Sequence, residues 1–149
     1  MTTLDAQQLL LIEHACSKLV VRAAALADAG QAAQLAALFT PDGVLVRPSG
    51  DALAGRQAIE ASYSQRPAGR LTRHLVTNIL VEVDSAGQAR ALSNVLLWSA
   101  STDDEPDRFG RPTRGPQVVG EFQDSFALTD EGWRIARREA RFLMRSEQV

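Results

Sequence analysis

Residues 71–83 contain no glycine or proline and are dominated by aliphatic side chains and threonine. Pro67 and Gly69 precede the run, and the turn-forming stretch 84–87 follows it. Such a run is a long strand that enters a hairpin. Alternation along a strand puts Thr72, His74, Val76, Asn78 and Leu80 on one face. Leu71, Arg73, Leu75, Thr77, Ile79, Val81 and Val83 take the other. Both faces are largely apolar, so both are expected to be covered. An imidazole and an amide among apolar neighbours need hydrogen-bond partners in the protein, in water or in a ligand. A histidine aimed into a cavity is therefore the leading functional clue.

The rest of the chain takes its place around this strand. Asp5 and Gln8 have the spacing of a capping box. Behind them Leu9, Ile12, Cys16, Leu19, Val20, Ala23 and Ala27 recur at helical spacing, and Gly30 suits a left-handed stop. A short second helix passes through Leu35 and Phe39, a turn is expected at residues 40–43, and a strand follows at 44–47. Leu53 fits a brief edge strand, and a third helix opens at Gly55 and stops before Pro67. Residues 88–100, 117–129 and 133–145 read as further strands, joined by hairpin signals at 84–87 and 129–132. Residues 101–116 form a long connection rich in Pro and Gly, predicted to be disordered or functional, as a lid or a contact with a second subunit.

Helices followed by a meander of antiparallel strands define the α+β class, and the 149 residues form one domain, 1–149. Helices can cover one sheet face only, so a homodimer through the outer face is expected. A net charge of −2 with no long basic block argues against nucleic acid or an anionic membrane as partner. The single Cys16 excludes an internal disulfide, and two histidines exclude a three-histidine metal site. The first residues lack the charged region and apolar run of a signal peptide, and no stretch has transmembrane length, so a soluble, cytoplasmic protein is expected.

The segment 33–46, AQLAALFTPDGVLV, is similar to the second helix and first strand of SnoaL-like proteins of the nuclear-transport-factor-2-like superfamily. GRQAI at 55–59, RHLVTN at 73–78 and GWRI at 132–135 fall where that family has matching segments, in the same order. The resemblance implies a cystatin-like cone in which three N-terminal helices pack on a curved, mostly antiparallel sheet. It points to dehydratases of the scytalone and bile-acid kind, which use an aspartate at the end of the first helical region and a histidine on the first long strand. Asp28 and His74 match these two. The chain departs from scytalone dehydratase at the second pocket histidine, where it carries Leu97, Trp98 and Ser99, and at the tyrosine beside the aspartate, replaced by Ala27.

Each candidate has two readings. Asp28 and His74 can form a carboxylate–imidazole pair that removes a proton α to a carbonyl, with no cofactor and no metal. Alternatively His74 is a core histidine satisfied by a backbone carbonyl or Asn78, and Asp28 caps the second helix with Gln31. Tyr63, Val76, Asn78, Trp98, Phe122 and Phe142 are the candidate substrate contacts. Asp124, between Phe122 and Phe126, is expected to reach water near a strand end, and Arg137, Arg138, Glu139 and Arg141 to form cross-strand pairs. Two functions follow. One is a cofactor-independent dehydratase or isomerase for a small hydrophobic, oxygenated, steroid- or polyketide-like substrate; the other is a non-catalytic binding or accessory protein of the same fold.

Overall fold

Asp5 starts the first helix through the reciprocal pair its spacing predicts. Its carboxylate accepts from the Gln8 amide at 2.8 Å, and the Gln8 side chain accepts from the Asp5 amide at 2.9 Å. The computed structural model describes residues 3–147. Helix α1 (Ala6–Asp28) buries Ile12, Cys16, Leu19, Val20, Ala23, Ala24 and Ala27, the predicted stripe. Gly30 ends it in the left-handed region, at φ 70°. Burial pushes the Cys16 thiol up to about 12, with the Asp124 charge adding to the effect, so it stays protonated and inert.

Helix α2 (Ala32–Ala37) leads into β1 (Phe39–Val46) and the short edge strand β2 (Ala52–Ala54). Helix α3 (Arg56–Ser64) then precedes β3 (Arg70–Ser85), β4 (Gln88–Ser101), β5 (Val118–Thr129) and β6 (Gly132–Arg145). The six strands form one sheet in the order β2-β1-β6-β5-β4-β3. Only β1 and β6 run parallel; all other neighbours are antiparallel. Helix α1 packs chiefly against β3, while α2 and α3 pack on each other at the β1 end. Phe39, Ile59, Phe126, Ile135 and Val20 are fully buried between the layers.

Two expectations are corrected at the backbone. The turn predicted at residues 40–43 is instead part of β1, whose pairing with β6 skips between Phe39 and Val44. Gly43 is fixed by crowding there, since a Cβ would lie 2.9 Å from that of Phe39. The second correction concerns β3, whose register against β4 shifts between Thr77 and Leu80. Asn78 sits in this bulge at φ 52°, a region asparagine tolerates better than most residues. The extra residue reverses the facing of everything after it. Thr72, His74 and Val76 point inward, then Ile79, Val81 and Val83 do. Leu75 and Leu80 are 55% and 66% exposed in the single chain, so only one face of β3 is covered. A second bulge, between the Phe126–Ile135 and Ser125–Arg137 pairs, turns Arg138 rather than Arg137 inward on β6.

The connection 101–116 is ordered by its own charges. Arg114 grips both oxygens of Asp104 at 2.6 Å, and Arg111 donates to the backbone carbonyls of Thr102 and Asp104.

Candidate active site

Asp28 is the last residue of α1, the helix that crosses β3, so its side chain falls onto that strand. One oxygen accepts from the His74 backbone amide at 2.8 Å. The other lies 2.6 Å from His74 Nδ1 and accepts from the Thr72 hydroxyl at 2.8 Å. Thr72 in turn accepts from Arg66, whose second nitrogen donates to the Ala27 carbonyl at 2.8 Å. Burial works against ionising Asp28. The bonds from the His74 ring and backbone, from Thr72, and the ring's charge outweigh it and hold the carboxyl below the usual carboxylate range. A carboxylate can only accept, so Nδ1 carries the proton in this contact and Nε2 is the free nitrogen of the neutral ring.

His74 lines a mostly apolar cavity of about 160 Å³, with Tyr63, Leu97, Phe122, Arg138 and Phe142 on its walls. Burial raises the Tyr63 phenol above its ordinary value even though Arg138, Arg47 and Arg66 pull the other way, so it is a proton donor at neutral pH. Arg138 is buried and grips Asp124 with two bonds of 2.7 and 2.8 Å. Its guanidinium carbon stacks 4.1 Å from the Phe122 ring centre.

The structure therefore brings Asp28 and His74 together, with Asp28 behind the ring rather than on the cavity wall. Tyr63, Phe122 and Phe142 line the cavity. Three expected contacts lie elsewhere. Val76 faces α1 in a side groove with Val21, Ala25 and Asp28. Asn78 is exposed because the bulge turns it out of the inner face. Trp98 lies on the outer side of β4 beside Arg73 and Thr113, since Val95 and Leu97 hold the inner positions. The cap expected of Asp28 is absent: Gln31 holds the N-cap position of α2, with no side-chain cap. Asp124 does not reach water but pairs with Arg138. No residue of 101–116 lines the cavity. Thr72, placed on the His74 face but not singled out, and Arg66 join the site as well. A threonine two residues before His74 shares its face, and that spacing was the available signal.

Among the described residues no three His, Cys, Asp or Glu side chains converge on a metal position, and no helix is long and apolar enough to cross a membrane.

A cone of curved sheet backed by helices is the fold of nuclear-transport-factor-2-like proteins, and one with a cystatin-like fold from Novosphingobium aromaticivorans aligns at TM-score 0.72 and 24% identity, covering 93% of this chain and 86% of the other. Within that class, the SnoaL-like domain model matches residues 8–139, and the chain belongs to this family. Comparison with curated proteins found no match. The fold is similar to a protein from Novosphingobium aromaticivorans provisionally described as a scytalone dehydratase, with TM-score 0.80, 23% identity, and 97% and 93% of the two chains covered. It is also similar to the hexachlorocyclohexane dehydrochlorinase LinA-type3 from Novosphingobium barchaimii, with TM-score 0.79, 15% identity, and 95% and 93% covered. A protein of unknown function from Mycobacterium tuberculosis aligns at TM-score 0.73 and 25% identity, covering 91% of this chain and 77% of the other.

Proposed function

We propose that this protein is a cofactor-independent lyase that eliminates water, or a similar small leaving group, from a hydrophobic oxygenated substrate. The observation that carries the reading is the 2.6 Å contact between His74 Nδ1 and Asp28, on a ring that also lines the cavity. With Nδ1 committed to the carboxylate, Nε2 acts as the base and takes a proton from the carbon beside a carbonyl. The released C–H electron pair becomes a carbon–carbon double bond as the β-substituent leaves with the bonding pair. The imidazolium formed is stabilised by Asp28 and returns its proton to a departing hydroxide, so the net change is loss of water. Tyr63, protonated on the cavity wall, is a suitable donor to the substrate carbonyl as negative charge develops there. Two structural neighbours carry names that describe eliminations, a dehydratase and a dehydrochlorinase, which is the chemistry proposed here. Isomerisation is the same first step with the proton returned at another carbon.

One observation favours the binding reading. Leu97 pairs with His74 across the β3–β4 ladder and lines the cavity, in the region where scytalone dehydratase carries its second imidazole. A panel of cyclic β-hydroxyketones, followed by the ultraviolet absorbance of the conjugated product, separates the two. For a lyase, His74→Ala and Asp28→Asn each lower kcat/KM by about 10² to 10⁴ with unchanged circular dichroism. Full activity in both variants rejects the mechanism, and saturable binding without turnover across the panel assigns the protein to the binding class. We also propose pairing of two copies through the outer sheet face.

A further inference from the structure

The apolar cavity shares part of its wall with a second compartment of different character. This groove, of about 350 Å³, shares Arg47, Tyr63, His74 and Leu97 with the cavity, and Arg66 and Arg70 complete its charged lining. Three guanidinium groups face it and no carboxylate lines it. None of the three takes part in an ion pair among the described residues. The contrast is with Arg138 in the inner cavity, which Asp124 neutralises.

We infer that this groove is an anion-binding subsite, and that the ligand is an apolar molecule bearing a carboxylate or phosphate group received by Arg47, Arg66 and Arg70. The inference rests on the lyase reading and names the substrate class for that site. Arg66 is held in place by its bonds to the Ala27 carbonyl and the Thr72 hydroxyl, while Arg47 leans on the Ser62 hydroxyl at 3.3 Å. Neither contact neutralises charge. Burial and the adjacent Arg70 charge lower the Arg66 guanidinium from its ordinary value, which marks a group that gains from an anion beside it. Asp28 acts on Arg66 through its charge and shares Thr72 with it, but forms no ion pair with it and is committed to the His74 ring. Guanidinium forks suit the planar oxygen pairs of carboxylates and phosphates. His74 and Tyr63 stand at the seam between the two compartments. An anion in the groove and an apolar body in the cavity would thus place the intervening carbons beside Nε2.

The test is a calorimetric titration of the wild type and an Arg47→Gln/Arg70→Gln double variant with 2-naphthoate, 2-naphthyl phosphate and neutral 2-naphthamide. Both arginines are exposed, and Arg66 is left untouched because it positions Thr72. At least one anion is expected to bind the wild type about tenfold more tightly than the amide, the margin that charge-assisted bonds add over neutral ones. The double variant is expected to lose that preference, with its amide affinity moving by less than that tenfold margin, and the better of the two anions identifies carboxylate or phosphate as the natural group. Equal affinity for anions and amide, no saturable anion binding, or a preference that survives in the double variant would overturn the inference. The lyase reading fails separately. Anion preference without elimination from any hydroxyketone, neutral or bearing a carboxylate or phosphate, keeps the subsite and discards the lyase, whereas turnover of neutral hydroxyketones without anion preference does the reverse.

Discussion

Arg138 and Asp124 are two full charges taken out of water at the floor of a small cavity, with side chains 6% and 0% exposed. Their fork of two short bonds offsets the desolvation of both. Removing one partner leaves the other charged and unpaired, so Asp124→Ala should cost about 3 to 5 kcal/mol in urea unfolding. The paired replacement Asp124→Leu with Arg138→Met removes both charges and should cost far less. Equal losses in the two variants would show that shape, not charge, matters there. Asp28 makes a different prediction, in pH. Its folded carboxyl titrates below the unfolded value of about 3.9, so its stabilisation is complete above that value and is lost as pH falls through the folded one. Wild-type stability should therefore drop more steeply than that of Asp28→Asn as the pH falls from about 4. Parallel acid limbs would mean that Asp28 does not couple to folding.

Strand β3 depends on a single left-handed residue. Asn78→Gly should be nearly neutral, and Asn78→Val should lower stability by about 1 to 3 kcal/mol, because a branched side chain is strained at positive φ. A thermal melt reads both, and a neutral valine variant would mean that the bulge relaxes. The same bulge explains where sequence reading succeeded and where it stopped. Helix caps and hairpins are local, and the sequence places several within a residue or two: the Asp5 box, the Gly30 stop and the strands bounded by residues 84–87 and 129–132, though β1 begins at Phe39, five residues before the expected strand. A bulge leaves no composition signature, yet it inverts every later side chain. That is why Asn78 read as a pocket group, why Ile79 and Val81 read as outer residues, and why Arg138 read as a surface partner. Asp28 and His74 were legible because a family pattern fixes both positions. Thr72 and Arg66 were not, since their roles depend on the start of β3 and the end of α3 meeting at one helix terminus.

The whole molecule carries its helices on one side of the sheet, leaving Leu75, Leu80, Leu92, Leu96 and Trp98 exposed on the strands of the other. An apolar strip of this kind fits a second copy of the same face. Leu75→Glu with Leu96→Glu should convert a dimer into a monomer in sedimentation equilibrium, whereas a monomeric wild type would end the proposal. The strand order has its own consequence for how the protein comes into being. Strand β1 is made early, but its long neighbour in the sheet is β6, with α3 and four strands between them in the chain. During translation β1 and β2 must wait for β6 before they join the sheet, and the pairing closes a loop that slows folding. Arg138, Ala140 and Phe142 come from that same late strand. The wall of the cavity in front of His74 is thus closed only when the last strand of the sheet takes its place.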